Sequence, residues 1–299
     1  MINRSSLKYS LKKILPTSLF KVVLFIWQKL LLHIVDALDL IRLITFKTKQ
    51  LVSLSHATEN FKLYISPVNG FIDKHIYLYG VYEPFILDII SKYLQPGMTF
   101  IDIGANIGQH SMYAASIVGK NGSVYSFEPI PHVYEQLQDS SHANHFQSII
   151  HAENFALGAR EASETLYISK ENIGGSSLVN EESGKEEITV SIKNGDNQLS
   201  HLSTIDMIKI DVEGYEYEVL LGIQESLYKH HPIILVEFSG EFYEKQGKGH
   251  GQKIVSLLEK AGYALYDIED DMKEVTDLEL FVSHFKNKKR QTNLLCIAN

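Results

Sequence analysis

Short apolar runs alternate with amphipathic stretches along most of the chain. The apolar runs have the length of buried strands, and the stretches between them repeat apolar residues at the three- and four-residue spacing of helices. Such alternation predicts an α/β fold with right-handed crossovers and a mostly parallel sheet covered on both faces. The predicted strands are 98–103, 123–128, 148–153, 206–211, 232–238, 263–267 and 293–297, and the predicted helices are 107–118, 131–144, 215–229 and 251–261.

The pattern changes at both ends of this series. No helix is predicted between the last two strands, so the C-terminal edge is expected to close as an antiparallel hairpin. Near the start, residues 61–65 and 75–79 alternate apolar and polar positions around a turn with proline and glycine, which predicts a second hairpin. A helix over 83–94 follows. Two further short strands are predicted at 165–168 and 188–192.

The first 60 residues form a separate region of the pattern. Residues 14–46 are mostly apolar, but their longest uninterrupted apolar run, 22–27, has six residues. A membrane-spanning helix needs ~20. We therefore predict a basic amphipathic helical arm over 1–60 and one domain over 61–299. Two roles for the arm stay open: a helix or helix pair packed on the domain or on a second copy in a homo-oligomer, or a helix lying in a membrane interface.

Charge is divided unevenly between arm and domain. The chain of 299 residues has a net charge of −8, but its first 50 residues hold nine Lys or Arg and two Asp, a charge of +7, which leaves −15 for the rest. An acidic domain argues against broad contact with nucleic-acid phosphates. The single Cys296 excludes an internal disulfide and a cysteine-rich zinc site. It favours reducing surroundings, so we expect a cytoplasmic protein, either free or associated with a membrane through residues 14–46.

A glycine-containing turn follows the first strand of the predicted sheet. Asp102 lies at the strand end, and Gly104 and Gly108 bracket a turn into a helix whose first N–H groups are free for a ligand. Glu128 ends the next strand, 20 positions after Gly108, where nucleotide-binding units place a carboxylate on ribose hydroxyls. Asp102 would repel a diphosphate but suits a sulfonium or ammonium group. The pattern therefore indicates S-adenosylmethionine and disfavours a nicotinamide cofactor.

Three further carboxylates end later strands of the predicted sheet. Asp211 and Glu213 follow one strand, and Glu237 ends the next. Because ligands of open α/β sheets bind at the carboxyl ends of the strands, we expect these side chains to share an edge with the glycine turn. Each is a candidate catalytic base, preferred in the order given. The alternatives are a helix-start carboxylate for Glu213 and a structural ion pair for Glu237.

The neighbouring charged residues have simpler expected roles. Lys209, inside a buried strand, should pair with a carboxylate, because an unpaired buried ammonium is costly. Glu216 and Glu218 are predicted to be solvated helix positions. No histidine spacing supports a metal site, so none is expected, although the number of carboxylates leaves a metal-assisted variant open.

Several segments together carry a family resemblance. They include Phe100-Ile-Asp-Ile-Gly-Ala-Asn-Ile-Gly108, Phe127-Glu-Pro129, Asn154-Phe-Ala-Leu-Gly158, Ile208-Lys-Ile-Asp-Val-Glu-Gly-Tyr-Glu216 and Ile233-Ile-Leu-Val-Glu237. Over roughly residues 61–240 the chain resembles the FkbM-type S-adenosylmethionine-dependent methyltransferases. The resemblance implies a Rossmann-like, seven-stranded class I methyltransferase fold and O-methylation of a hydroxyl on a sugar, glycan or natural product.

The resemblance also implies roles for individual residues. Asp211 and Glu213 would face the transferred methyl group, and Glu128 would bind the ribose. A non-catalytic scaffold that keeps the fold and uses its arm for membrane or partner binding is the alternative from a different class. The remaining implied donor-binding residues are Asp102, Gly104, Ala105, Asn106 and Gly108 for the methionine portion, and Asn154, Phe155 and Ala156 near the adenine.

Overall fold

The computed structural model describes residues 49–67, 70–168, 176, 178, 186–240, 249–285 and 291–299. The predicted arm lies outside the described residues as far as residue 48, so its helical structure and its role stay predictions. In this part of the chain no helix is long and apolar enough to span a membrane.

The described chain alternates strands and helices. The strands are β1 (Gln50–His56), β2 (Glu59–Ile65), β3 (Thr99–Ile103), β4 (Ser123–Phe127), β5 (Ile150–Glu153), β6 (Ala156–Gly158), β7 (Ala162–Ile168), β8 (Glu186–Asn194), β9 (Met207–Ile210), β10 (Ile233–Ser239), β11 (Tyr263–Asp267), β12 (Lys273–Glu274) and β13 (Gln291–Ala298). The helices are α1 (Phe71–Tyr79), α2 (Pro84–Tyr93), α3 (Gln109–Val118), α4 (Pro131–Asn144), α5 (Gly195–Leu199), α6 (Glu216–Gly222), α7 (Gln224–His230), α8 (His250–Lys260) and α9 (Leu278–Phe285).

A central sheet has the strand order β12-β11-β13-β10-β9-β3-β4-β5. The five strands from β10 to β5 run parallel, and β13 lies antiparallel between β10 and β11. The inner strands are buried on both faces: Met207, Ile208 and Ile210 of β9 are at most 1% exposed. Apart from the two-residue β12, this is the predicted seven-stranded Rossmann-like methyltransferase sheet with an antiparallel C-terminal strand, and the fold class is confirmed.

The N-terminal hairpin differs from the prediction. Strand β2 contains the predicted strand 61–65, but its antiparallel partner is β1, and residues 71–79 form helix α1 instead of a strand. The edge of β2 is held by α4, since the Asn144 and Ser140 side chains accept hydrogen bonds from the N–H groups of Lys62 (2.7 Å) and Tyr64 (2.9 Å). The predicted boundary between residues 60 and 61 thus falls inside β2.

Two connections in the C-terminal half also differ from the prediction. Helix α9 and the short β12 lie between β11 and β13, so these antiparallel strands are not joined by a simple hairpin turn. The predicted helix 215–229 is divided into α6 and α7 at Ile223, which is fully buried. The predicted strands at 165–168 and 188–192 are confirmed within β7 and β8, which join β6 in a small separate sheet.

Candidate active site

A cavity of about 330 Å³ lies beside the carboxyl ends of β3, β4, β9 and β10. This is the edge at which the sequence placed the site. The predicted site residues that line the cavity are Gly104, Ala105, Asn106, Glu128, Ala156, Asp211, Glu213 and Glu237. The predicted donor-binding residues Asp102, Gly108, Asn154 and Phe155 do not line it.

The turn after β3 requires glycine at its first position. Gly104 has a φ of +78°, and a Cβ there would lie 1.9 Å from the backbone oxygen of Asp211. The N–H groups of Gly104 and Ala105 both donate to the carbonyl oxygen of Phe127, at 3.0 Å each. The turn therefore holds the ends of β3, β4 and β9 together at one side of the cavity.

Glu128 is held in one orientation at the end of β4. Its carboxylate accepts hydrogen bonds from the N–H groups of Asn106 and Ile130, both at 2.9 Å. Burial raises the pKa of Glu128 to about 7. Each carboxylate oxygen keeps a second lone pair after these bonds. The side chain can therefore still accept hydrogen bonds from two ribose hydroxyls.

The predicted residues outside the cavity wall support it from behind. Asp102 is fully buried and accepts a hydrogen bond from Ser111 Oγ at 2.6 Å. The amide of Asn154 donates to the backbone oxygen of Glu128 at 2.8 Å. The ring of Phe155 packs on Phe127, with centroids 5.6 Å apart. These contacts position the cavity-lining residues, and the donor-binding roles of the three side chains stay predictions.

Gly108, whose role at the donor stays a prediction, lies where a side chain would not fit. It lies at φ +88° immediately before α3, and a Cβ at this position would meet Leu137 Cγ at 2.8 Å. Glycine here allows α3 and α4 to approach each other beneath the turn.

Lys209 is the buried cation of the site. Its Nζ lies 3.1 Å from Asp211 and 3.8 Å from Asp102. Burial disfavours the charged ammonium, but the two carboxylates outweigh burial and the pKa of Lys209 is raised. The prediction that Lys209 pairs with a neighbouring carboxylate is confirmed.

The three candidate bases meet within the cavity. One carboxylate oxygen from each of Asp211, Glu213 and Glu237 lies within 4.8 Å of the other two. Burial, and then the charge of Asp211, raises the pKa of Glu213 to about 9 and that of Glu237 well above its usual value. The Gln291 amide donates a hydrogen bond to Glu237. Such a cluster can accept a proton or stabilise a cation, whether a sulfonium or a metal ion, and the expectation that no metal takes part stays a prediction.

The sequence did not assign roles to three further residues that line the cavity: Tyr82, Glu83 and His110. The backbone of Tyr82 is joined to α3 by two hydrogen bonds with the Gln109 side chain, at 2.7 and 2.8 Å. Burial, and then the charge of Asp211, raises the pKa of Glu83 to about 7. The sequence criterion for a site residue was a charged side chain at a strand end. Tyr82 and Glu83 lie just before α2 instead, and His110 lies in the first turn of α3.

The expected exposure of Glu216 is wrong. This side chain is fully buried and accepts hydrogen bonds from the N–H groups of Gly214 (2.9 Å) and Val212 (3.3 Å). The turn between β9 and α6 directs these N–H groups inward, with Glu213 at φ +51°, and a buried N–H group needs an acceptor. Glu216 therefore maintains the turn that presents Glu213.

Comparison with known families identifies this arrangement. A family model described as the methyltransferase FkbM domain matches residues 102–265, more than half of the chain. The chain belongs to this family. It is an S-adenosylmethionine-dependent methyltransferase of the FkbM type, as the resemblance of its sequence segments implied.

The chain is similar at low identity to other proteins named as methyltransferases. "Methyltransferase 1" of Beauveria bassiana is 25% identical over 243 residues, which cover 72% of this chain and 90% of that protein. "Hexuronic acid methyltransferase AglP" of Haloferax volcanii is 27% identical over 128 residues, covering 42% of this chain and 50% of that protein. A solved FkbM methyltransferase from Methylobacillus flagellatus aligns with a TM-score of 0.42 at 13% identity, covering 75% of this chain and 52% of that one.

Proposed function

We propose that this FkbM methyltransferase methylates a hydroxyl oxygen of a sugar, glycan or natural-product acceptor, with Asp211 as the base. The observation that carries the proposal is the meeting of Asp211, Glu213 and Glu237 in one cavity with the buried Lys209. A hydroxyl is a weak nucleophile until its proton is removed, so its methylation calls for a positioned base, whereas a neutral amine can attack without one.

The charges around Asp211 favour it over its two neighbours. The Lys209 ammonium forms an ion pair with Asp211, with 3.1 Å between Nζ and the carboxylate oxygen. Glu213 and Glu237 both have raised pKa values, because burial and the charge of Asp211 favour their protonated forms. A protonated carboxyl group cannot act as a base, so the raised pKa values of Glu213 and Glu237 make Asp211 the preferred candidate, and Glu213 and Glu237 follow it.

The reaction at this site removes charge from the cavity. S-adenosylmethionine supplies an electrophilic methyl group on a sulfonium. In our proposal the proton of the acceptor hydroxyl passes to Asp211 as the oxygen–carbon bond forms, so a cation and a carboxylate become a neutral thioether and a carboxylic acid. The carboxyl groups lining the cavity stabilise the cationic donor, and Glu128 orients its ribose.

One relative supports a sugar acceptor, and the carboxyl groups of the cavity bear on which sugar is favoured. The Haloferax volcanii relative is named for a hexuronic acid, which makes a sugar acceptor reasonable. The described cavity wall also contains the carboxyl groups of Glu83 and Glu128 besides the three candidate bases. Because like charges repel, we expect a neutral sugar to react faster than a uronic acid of the same ring configuration.

Transfer of an isotopically labelled methyl group tests the chemistry. The enzyme is incubated with ¹³C-methyl S-adenosylmethionine and a panel of neutral glycosides, uronic acids, lipid-linked sugars and hydroxylated natural products. The product carbon should show the chemical shift of a methoxy group. A labelled methyl group on nitrogen or carbon would refute O-methylation, and faster transfer to uronic acids than to neutral sugars would refute the charge argument.

A further inference from the structure

His110 is a buried side chain of the cavity for which the proposed reaction gives no role. It is the second residue of α3, it lines the cavity and it is 7% exposed. Its Nε2 is buried and has no hydrogen-bond partner among the residues that the structure describes. Leaving a buried donor or acceptor unsatisfied costs free energy, so this atom points to a ligand.

The protonation of His110 limits what that ligand can be. Burial, and then the charge of Lys209, holds the pKa of His110 well below its usual value. The ring is therefore neutral at physiological pH, with one N–H donor and one acceptor nitrogen. His110 and Lys209 line the same cavity.

An anionic group bound in this cavity needs a hydrogen-bond donor that is not already used. Five of the described lining side chains end in carboxyl groups, and the Lys209 ammonium is already paired with Asp211 and Asp102. The unpartnered Nε2 of His110 is therefore a donor that a ligand carboxylate can use. The carboxyl groups concerned are Glu83, Glu128, Asp211, Glu213 and Glu237.

S-adenosylmethionine has one such group, because its methionine portion ends in an ammonium and a carboxylate. We propose that His110 donates a hydrogen bond from Nε2 to this carboxylate. The inference deepens the proposed function and rests on it for the donor, but it does not depend on the acceptor. In this arrangement Glu128 binds the ribose of the donor and His110 binds the carboxylate of its methionine portion.

The test compares two ligands that differ in this carboxylate. S-adenosylmethionine and its decarboxylated analogue, which keeps the ammonium and the sulfonium, are titrated by calorimetry into the wild-type protein and into His110→Ala. Loss of a hydrogen bond to a charged group should weaken binding of S-adenosylmethionine roughly tenfold to a hundredfold. Binding of the decarboxylated analogue should be unchanged, which also reports that the variant is folded.

Two further variants sharpen the comparison. His142→Ala removes an exposed histidine of α4 and should change neither affinity. His110→Gln keeps an N–H donor and should recover part of the affinity for S-adenosylmethionine.

Three results would overturn the inference. An equal loss for both ligands would mean that His110 only supports the fold of the cavity. Unchanged binding of both would mean that it contacts something else, such as the acceptor. If the wild-type protein bound neither ligand, S-adenosylmethionine would not be the donor. That result would refute the proposed function itself, and it can be told apart from the others because it is obtained without the His110 variants.

Discussion

Replacement of Lys209 by methionine tests how much the buried ion pairs of this lysine contribute to stability. Lys209 is 5% exposed, and its ammonium lies between the fully buried Asp102 and the partly buried Asp211. Methionine preserves most of the volume but leaves the Asp102 carboxyl group buried without its cation. Breaking a buried ion pair in this way costs about 3–5 kcal/mol, which should lower the thermal midpoint by about 10 °C for a domain of this size.

The loss of unfolding free energy in Lys209→Met should increase as the pH rises. The pKa of Asp102 is already raised in the fold, chiefly by burial, and removal of Lys209 raises it further. The unfolded chain then binds fewer protons than the native state, so the free energy of unfolding falls as pH rises above the unfolded pKa. We therefore expect Lys209→Met to be least harmful near pH 5 and most harmful near pH 8.

Urea denaturation of Lys209→Met from pH 5 to pH 8 measures this effect. The double variant Lys209→Met/Asp102→Asn removes both charges and should recover much of the stability, because a neutral amide costs less to bury than a carboxylate. A loss below about 1 kcal/mol at pH 8, or a double variant as unstable as the single one, would refute the account.

Three further predictions concern the turn, the acidic cluster and metal ions. Gly104→Ala should lower the free energy of unfolding by more than about 3 kcal/mol, because the residue has a positive φ and an added Cβ would also meet the Asp211 backbone. Gly97→Ala, at φ +88° but with open space around the added Cβ, should lower it by only about 1–2 kcal/mol in urea denaturation. The raised pKa of Glu213, about 9, predicts that wild-type stability falls from pH 5 to pH 8 and that Glu213→Gln flattens this slope; equal slopes would contradict it. Dialysis against EDTA should leave methyl transfer unchanged, since Lys209 already neutralises Asp211 and protons compete for Glu213; an activity lost on dialysis and restored by Mg²⁺ would contradict this.

The parts of the structure that local sequence determines were predictable. The turn around Gly104 and the carboxylates at strand ends follow from short apolar runs and from residues that end them, so Glu128, Asp211 and Glu237 were placed at the correct edge. The secondary structure of short segments was not predictable where the apolar residues fit both the two-residue repeat of a strand and the repeat of a helix. Residues 75–79 alternate like a strand, but α1 also spaces Ile72 and Ile76 on one helical face.

Other errors arise because tertiary neighbours decide the outcome. Glu216 looks like a solvated helix residue, but the inward N–H groups of the preceding turn need its carboxylate as an acceptor. His110 follows the glycine turn without any distinctive spacing, and only the fold shows that it lines the cavity with an unpartnered Nε2. Asp102 lies 3.8 Å from Lys209, a contact that the strand pattern alone did not specify.

In the proposed mechanism, Asp211 accepts the proton of the acceptor hydroxyl in a cavity that binds S-adenosylmethionine. The most direct test of this step is single-turnover methyl transfer by Asp211→Asn, measured beside calorimetric binding of S-adenosylmethionine and with Glu259→Gln, an exposed residue of α8, as the control. We predict donor affinity within about threefold of wild type and a rate at least about a hundredfold lower, while the control is unchanged. Methyl transfer by Asp211→Asn at the wild-type rate would contradict the account.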